Sequence, residues 1–466
     1  MYDAKKCPQD NLNLDTKFSS IIDRGFFNDN SYNLVYNKTC HIPKETIISE
    51  INNSLKWFWR KFSRGIIKMN LSKRSNSMQF SPIRKLVPFA EEAKKHGKKV
   101  YPLNIGQPDI ETPREFFKGI QTYDKKVLKY SDSLGDKKLI DSFINYYKEW
   151  GIELKSSEIL ITCGGSEALL FALMTICDIG DEILIPEPFY TNYNTFADIC
   201  GVKISSIVTK PEEGFHLPSK ETIKGLITPK TKAILMSNPS NPTGTVYTSE
   251  EIKMLGDIAL ENDIFIIADE VYREFVYDSC EYTSTMTLKD AWNNIILIDS
   301  VSKRYSACGA RIGLLASKNK DVITQCTKLC QARLSVSSVD QIGAANLINT
   351  PKSYFQKVNE KYAKRRDILY TALKAIPGVV CEKPAGAFYI VAKLPIKNCE
   401  HFAKWLLTDY SYENETIFLT PAKDFYITEG LGKDQVRISY CINSKDLKTA
   451  GKILNKALND YKKLYE

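Results

Sequence analysis

A mainly parallel α/β sheet flanked by helices, with a smaller α+β domain beside it, is the fold class this sequence predicts. Three observations predict it. Short apolar runs of strand length recur from about residue 98 onward, and ten or more residues with helical spacing separate most of them. Past about residue 350 that alternation gives way to a long charged helix and two further strand-like runs. Alternating strands and helices mean βαβ units, and those mean a parallel sheet covered on both faces.

Taken in order, residues 1–68 are asparagine-rich, with little periodicity until the stretch Lys56-Trp57-Phe58-Trp59-Arg60-Lys61. They read as a loosely ordered extension carrying one amphipathic helix across residues 44–67. Docking on a membrane surface or a partner is the sharper alternative for that helix. Enzyme-like sequence starts near Met69 or Met78, either of which could begin the functional polypeptide. Residues 69–118 are assigned to the small domain together with 351–466, and residues 119–350 to the large one. The expected strands of the large sheet are 158–162, 182–185, 202–207, 232–236, 264–268, 295–298 and 312–315. A helix over 249–262 opens at Ser249 with Glu250 and Glu251 in its first turn, where acids complement the helix dipole. A charged helix over 352–375 precedes Pro377-Gly378. Strands at 387–391 and 436–440 follow, then a terminal helix from Lys445.

Composition bounds the function. The 466 residues suffice for two domains, and 43% apolar with 26% charged residues is an ordinary globular balance. No apolar run approaches the roughly 18 residues a membrane helix needs. Asp3, Asp10 and Asp15 at an N-terminus without an apolar core do not suit a signal or transit peptide, so a cytoplasmic location is expected. Twelve scattered cysteines without a CxxC pair, and only four histidines, suggest reduced thiols and no metal site. Of the net charge of +9, residues 1–77 hold 13 Lys/Arg against 7 Asp/Glu, so the body is nearly neutral and no nucleic-acid partner is expected.

In sheets of this kind ligands bind beyond the carboxyl ends of the strands, so the polar residues after each run are the candidates. After 158–162 comes Cys163-Gly164-Gly165-Ser166, which either turns a strand into a helix or offers backbone N–H groups to an anion. After 232–236 come two Asn-Pro pairs, Asn238-Pro239 and Asn241-Pro242, a rigid turn that could aim an asparagine amide at a ligand. After 264–268 comes Asp269, a helix cap or a partly desolvated acid that needs a cationic or hydrogen-bonding partner. After 295–298 comes Asp299-Ser300-Val301-Ser302-Lys303, with Arg311 eight residues further on. A lysine flanked by hydroxyls behind a buried strand is a candidate nucleophilic amine.

The ordered set GGS (164–166), SNPSNPTG (237–244), ADEVY (268–272) and SVSKRYSACGARIG (300–313) resembles the class I/II aminotransferases, aspartate-aminotransferase-like members of the fold-type I pyridoxal-phosphate enzymes. With Leu103-Asn104-Ile105-Gly106-Gln107-Pro108-Asp109 and Val436-Arg437-Ile438-Ser439, the resemblance runs from about Ser81 to the C-terminus and leaves out residues 1–68. It implies pyridoxal 5'-phosphate as cofactor, bound by the large domain. Lys303 would hold it covalently and move the substrate proton; Asp269 would face its ring nitrogen. Asn241 and Tyr272 would bond its phenolic oxygen and Tyr190 would stack on the ring. Gly165, Ser166, Ser300, Ser302 and Arg311 would bind its phosphate. Tyr130 would reach the phosphate of a second subunit, which makes the enzyme a homodimer. Arg437, with Asn241 and Gly106, would receive the substrate and clamp its α-carboxylate.

One departure bears on the substrate. Some bacterial aspartate-type members carry a lysine for the distal carboxylate where this chain has Ser166, so another arginine, such as Arg333, would have to serve. The activity implied is transamination between an amino acid and a 2-oxo acid, best guessed as aspartate or glutamate with 2-oxoglutarate. A carbon–sulfur β-lyase of the same fold is the alternative. A transcription regulator with an aminotransferase-like body is the remote one, since residues 1–77 lack a helix-turn-helix pattern.

Overall fold

The computed structural model describes residues 71–465. The expected extension, its amphipathic helix over 44–67 and the aromatic stretch at 56–61 lie outside the described residues. Close contacts group the residues from Ser77 onward into one compact unit.

Strand β1 (Lys99–Pro102) comes first and pairs outside the main sheet. The next seven are β2 (Ile159–Thr162), β3 (Glu182–Glu187), β4 (Lys203–Val208), β5 (Thr231–Ser237), β6 (Phe265–Asp269), β7 (Ile295–Ser300) and β8 (Gly313–Ala316). They form one sheet in the order β2-β8-β7-β6-β5-β3-β4. Every pairing from β7 to β4 is parallel, and only β8 runs against its neighbours β7 and β2. The sheet is therefore mainly parallel, as expected, and it falls on all seven expected runs.

Those runs are apolar without a break because both faces of the sheet are covered. Ile266, Ala268, Leu297, Ile234 and Leu184 enter the core on one face. Ile267, Ile296, Ile298, Leu235 and Ile183 enter a second core on the other. Helices complete both layers. The helix Ser249–Asn262 has the expected bounds and is capped by Thr248. The Thr248 side chain accepts from the Glu251 amide at 3.2 Å, and Glu251 returns a bond to the Thr248 amide at 2.7 Å.

Beyond β8 lie β9 (Tyr389–Lys393), β10 (Glu415–Phe418), β11 (Thr420–Pro421) and β12 (Gln435–Ser439). They form an antiparallel β11-β12-β9 sheet and a parallel β1-β10 pair. The helices Lys352–Lys374 and Ser444–Tyr465 pack on a third core with Phe388, Ile390 and Ile438. Strand β9 starts two residues after the expected 387. Ala387 has φ +52°, and its amide bonds to the Phe275 carbonyl, so this part of the apolar run docks on another loop. Among the described residues no helix is long and apolar enough to cross a membrane.

Candidate active site

Strands β2, β5, β6 and β7 all point their carboxyl ends the same way, and the residues just past those ends meet in one place. Lys303, in the turn after β7, is half-buried and donates from Nζ to the Gly106 carbonyl at 3.1 Å. The rings of Tyr272 and Phe388 flank its amine at 5.9 Å each. Gly106 must be glycine here: a Cβ would lie 1.8 Å from the Tyr389 hydroxyl, which fills that space and bonds the Tyr272 hydroxyl at 2.9 Å.

Asp269 ends β6 and is buried. Its Oδ2 accepts from the Tyr193 hydroxyl at 2.8 Å, and its Oδ1 accepts from the Val271 amide at 3.4 Å. Burial pushes its carboxyl up to about 6, against the pull of Tyr193, the Val271 amide and the Lys303 charge. An acid held there without a cation in contact is poised to take one.

Arg437 on β12 carries the opposite imbalance. It is fully buried, with the Tyr389 ring at 4.7 Å and the Phe425 ring at 5.1 Å. Nη1 donates to Asn241 Oδ1 at 3.2 Å, Nη2 donates to the Asn104 carbonyl, and buried Nε has no partner. Burial lowers its pKa from the usual arginine value, and the nearby Tyr389, Tyr272 and Tyr190 hydroxyls offset only part of the lost hydration. Arg273, Arg304, Arg365 and Arg366 are also buried, and each meets a carboxylate within 2.9 Å. Among the described residues no carboxylate pairs with Arg437. A buried guanidinium without an anion costs several kcal/mol, so the place is built to receive one.

The third feature is an anion cradle. The helix Gly164–Ile176 begins with no side-chain cap, which leaves its first N–H groups open. Arg311 lies against that end, donating to the carbonyls of Cys308 at 3.2 Å and Cys163 at 3.4 Å. A Cβ on Gly164, whose φ is +73°, would come within 2.5 Å of the Arg311 guanidinium. Gly165 and half-buried Ser166 occupy the first turn; buried Ser300 ends β7 and buried Ser302 follows it, where Ser300 Oγ accepts from the Ser302 amide at 3.0 Å. Tyr190 packs edge-on to Tyr193 with ring centres 5.5 Å apart. Tyr130 stands apart, 80% exposed beside exposed Val127 and Leu128.

Sequence reading overlooked Tyr193, Tyr389 and Phe388. Their only signals are their positions, three residues past Tyr190 and at the start of β9, and buried aromatics there read as packing. It also offered Arg333 for a distal carboxylate, and the structure corrects this. Arg333 Nη1 pairs with the Glu167 carboxylate at 3.1 Å, and Nη2 bonds the carbonyls of Ser133 and Ile161, so its charge, unlike that of Arg437, is already met by an acid.

An amine, an acid without a contacting cation and an open helix end lie at the strand termini, and a buried guanidinium on β12 completes one candidate active site. The chain belongs to the class I and II aminotransferases: the model of that family matches residues 98–454. It is 33% identical over 383 residues to the aspartate aminotransferase of Bacillus subtilis, covering 80% of this chain and 94% of that one. It is 30% identical over 400 residues to the probable aspartate/prephenate aminotransferase of Aquifex aeolicus, covering 84% of this chain and all of that one. Among solved structures, Thermus thermophilus aspartate aminotransferase with maleate superposes with a TM-score of 0.76 at 26% identity, over 83% of this chain and 99% of that one. An alanine aminotransferase of Pyrococcus furiosus does so equally, at 0.76 and 29% identity, over 84% and 100%. The chain is a transaminase, acting on amino acids and 2-oxo acids as its family does.

Proposed function

We propose that this aminotransferase carries pyridoxal 5'-phosphate on Lys303 and exchanges amino groups between a dicarboxylic amino acid, aspartate or glutamate, and 2-oxoglutarate. The observation that carries the reading is a pair of complementary charges: among the described residues no cation contacts buried Asp269 and no carboxylate contacts buried Arg437. The residues fit the cofactor. Asp269 would face the ring nitrogen, and Asn241 and Tyr272 the phenolic oxygen. Tyr190 would lie on the ring; Gly165, Ser166, Ser300, Ser302 and Arg311 would bind the phosphate. When bound, pyridoxal phosphate supplies an electron sink for charge left on the substrate Cα.

The chain's own residues do the rest. Arg437 takes the substrate α-carboxylate with its free edge and, held by Asn241 and Asn104, fixes the Cα near Lys303. Lys303 Nζ removes the Cα proton and redelivers it, a transfer worth about 10²- to 10⁴-fold. The Tyr272 ring, held by its hydroxyl bond to Tyr389, and the Phe388 ring flank the amine.

We propose further that the enzyme is a cytoplasmic homodimer in which exposed Tyr130 reaches the partner's phosphate site. Residues 119–350 would form the large cofactor domain, with 69–118 and 351–466 in the small one. The test is an assay of purified protein with aspartate and 2-oxoglutarate, following oxaloacetate. Turnover that requires the 2-oxo acid is expected; release of pyruvate and ammonia without any 2-oxo acid would mark a lyase instead.

A further inference from the structure

We infer that Arg84 is the specificity residue for the substrate's distal carboxylate, a role that rests on the dicarboxylic reading above. With Ser166 uncharged and Arg333 bound to Glu167, that reading lacks a second cation, and Arg84 is placed to be one.

Arg84 lies in the turn that follows Ser81, closed by bonds from the Arg84 and Lys85 amides to the Ser81 carbonyl at 2.9 and 3.0 Å. Three contacts tie this turn to the cleft. The Asn104 side chain donates to the Ile83 carbonyl at 3.1 Å, while the Asn104 carbonyl accepts from Arg437. The Ile83 side chain packs against the cluster of Ala422, Phe425 and Tyr426, and the Arg437 guanidinium lies over the Phe425 ring. Lys85 anchors the turn from the other side, bridging Glu400 and Asp424 at 2.7 Å each. Arg84 is thus one residue from a carbonyl that shares Asn104 with the proposed α-carboxylate clamp.

Its charge is also unspent. Unlike Lys85, Arg84 is exposed and pairs with no carboxylate among the described residues. Burial raises the Tyr190 hydroxyl, and the charges of Arg437, Arg84 and Arg311 all oppose that rise. Arg437 and Arg84, linked through Asn104 and each without a carboxylate partner among the described residues, match a ligand with two carboxylates. Arginine is the suitable residue, since its fork binds a carboxylate through two parallel bonds.

The test is calorimetric titration of the cofactor-loaded enzyme with succinate and with butyrate, which differ by one carboxylate, in wild type, Arg84→Gln and Arg84→Lys. The expected result is a loss of succinate affinity of about 10- to 100-fold in Arg84→Gln, with butyrate changed less than about 2-fold and Arg84→Lys intermediate. The kcat/KM ratio of aspartate to alanine should fall in step. Unchanged succinate binding, or an equal loss for both ligands, overturns the role of Arg84 alone. A wild type that binds succinate no tighter than butyrate overturns the dicarboxylic reading itself, and Arg84's role with it.

Discussion

Two carboxylates at the ends of neighbouring strands face opposite sides of the same sheet. Asp299 on β7 shares its face with Leu297; Asp269 on β6 shares the other with Ile267. Asp299 is answered completely. Arg304 reaches both oxygens at 2.7 and 2.8 Å, and the Tyr147 hydroxyl and the Ser300 amide each bond it at 2.6 Å. Asp269 is left with one phenol and one long amide contact, and burial holds its carboxyl up near 6. Identical chemistry one residue step apart therefore serves two ends. Where the charge is paired the fold is made secure, and where it is left unpaired a ligand completes it.

Substitutions should separate the two sides. The largest effect is expected from Lys303→Ala, which removes the only proposed proton carrier: kcat should drop by about 10⁴-fold or more, with little change in melting temperature. The absorption band of bound pyridoxal phosphate, fixed by borohydride in the wild type, should no longer be fixed. Retention of ordinary turnover would break the assignment. Next comes Asp299→Ala, which leaves the Arg304 charge buried alone and should cost about 3–5 kcal/mol of stability by denaturant unfolding. Arg437→Met does the reverse. It removes a charge the protein does not pair, so unliganded stability should hold or rise. Substrate kcat/KM should still fall by about 10²-fold or more, because the α-carboxylate loses a bidentate partner. If Arg437→Met destabilised as much as Asp299→Ala, the contrast between the two sides would be wrong.

Much of this arrangement was legible before the structure. The seven main strands could be read because strands buried on both faces are apolar throughout. Lys303, Asp269 and Asn241 stood out because each is polar directly after such a run. What was not legible depends on distant pairing. The partners β1 and β10 are four residues each and join Lys99 to Glu415, so no local pattern announces them. Tyr389 fits its place only because Gly106, far away in sequence, lacks a Cβ. The Arg333–Glu167 bond likewise joins two helices, and nothing near either residue betrays it. Arg437 was marked by resemblance, yet its lack of an acid is a property of everything around it.

The subtlest way to probe the comparison is by pH. In the unfolded chain the Asp269 carboxyl titrates near its ordinary value of 3.8, and in the folded protein near 6. Between those values the folded state binds the extra proton, so cofactor-free enzyme should lose stability as pH rises from about 4 to about 6 and level off above. The size expected is about 3 kcal/mol for a shift of roughly two units. Asp269→Asn, which cannot charge, should lack that decline and be more stable than the unliganded wild type at pH 7. Pyridoxal phosphate should reverse the ranking, since a protonated ring nitrogen opposite the carboxylate stabilises the charged form and does nothing comparable for an amide. Asp299→Asn should give no such reversal, because its cation is already part of the chain. Melting curves of the three proteins from pH 4 to 8, with and without cofactor, would show this. A wild type whose unliganded stability is flat across that window would mean that the cleft does not penalise the charge on Asp269. The two carboxylates would then differ in their partners but not in their energetics.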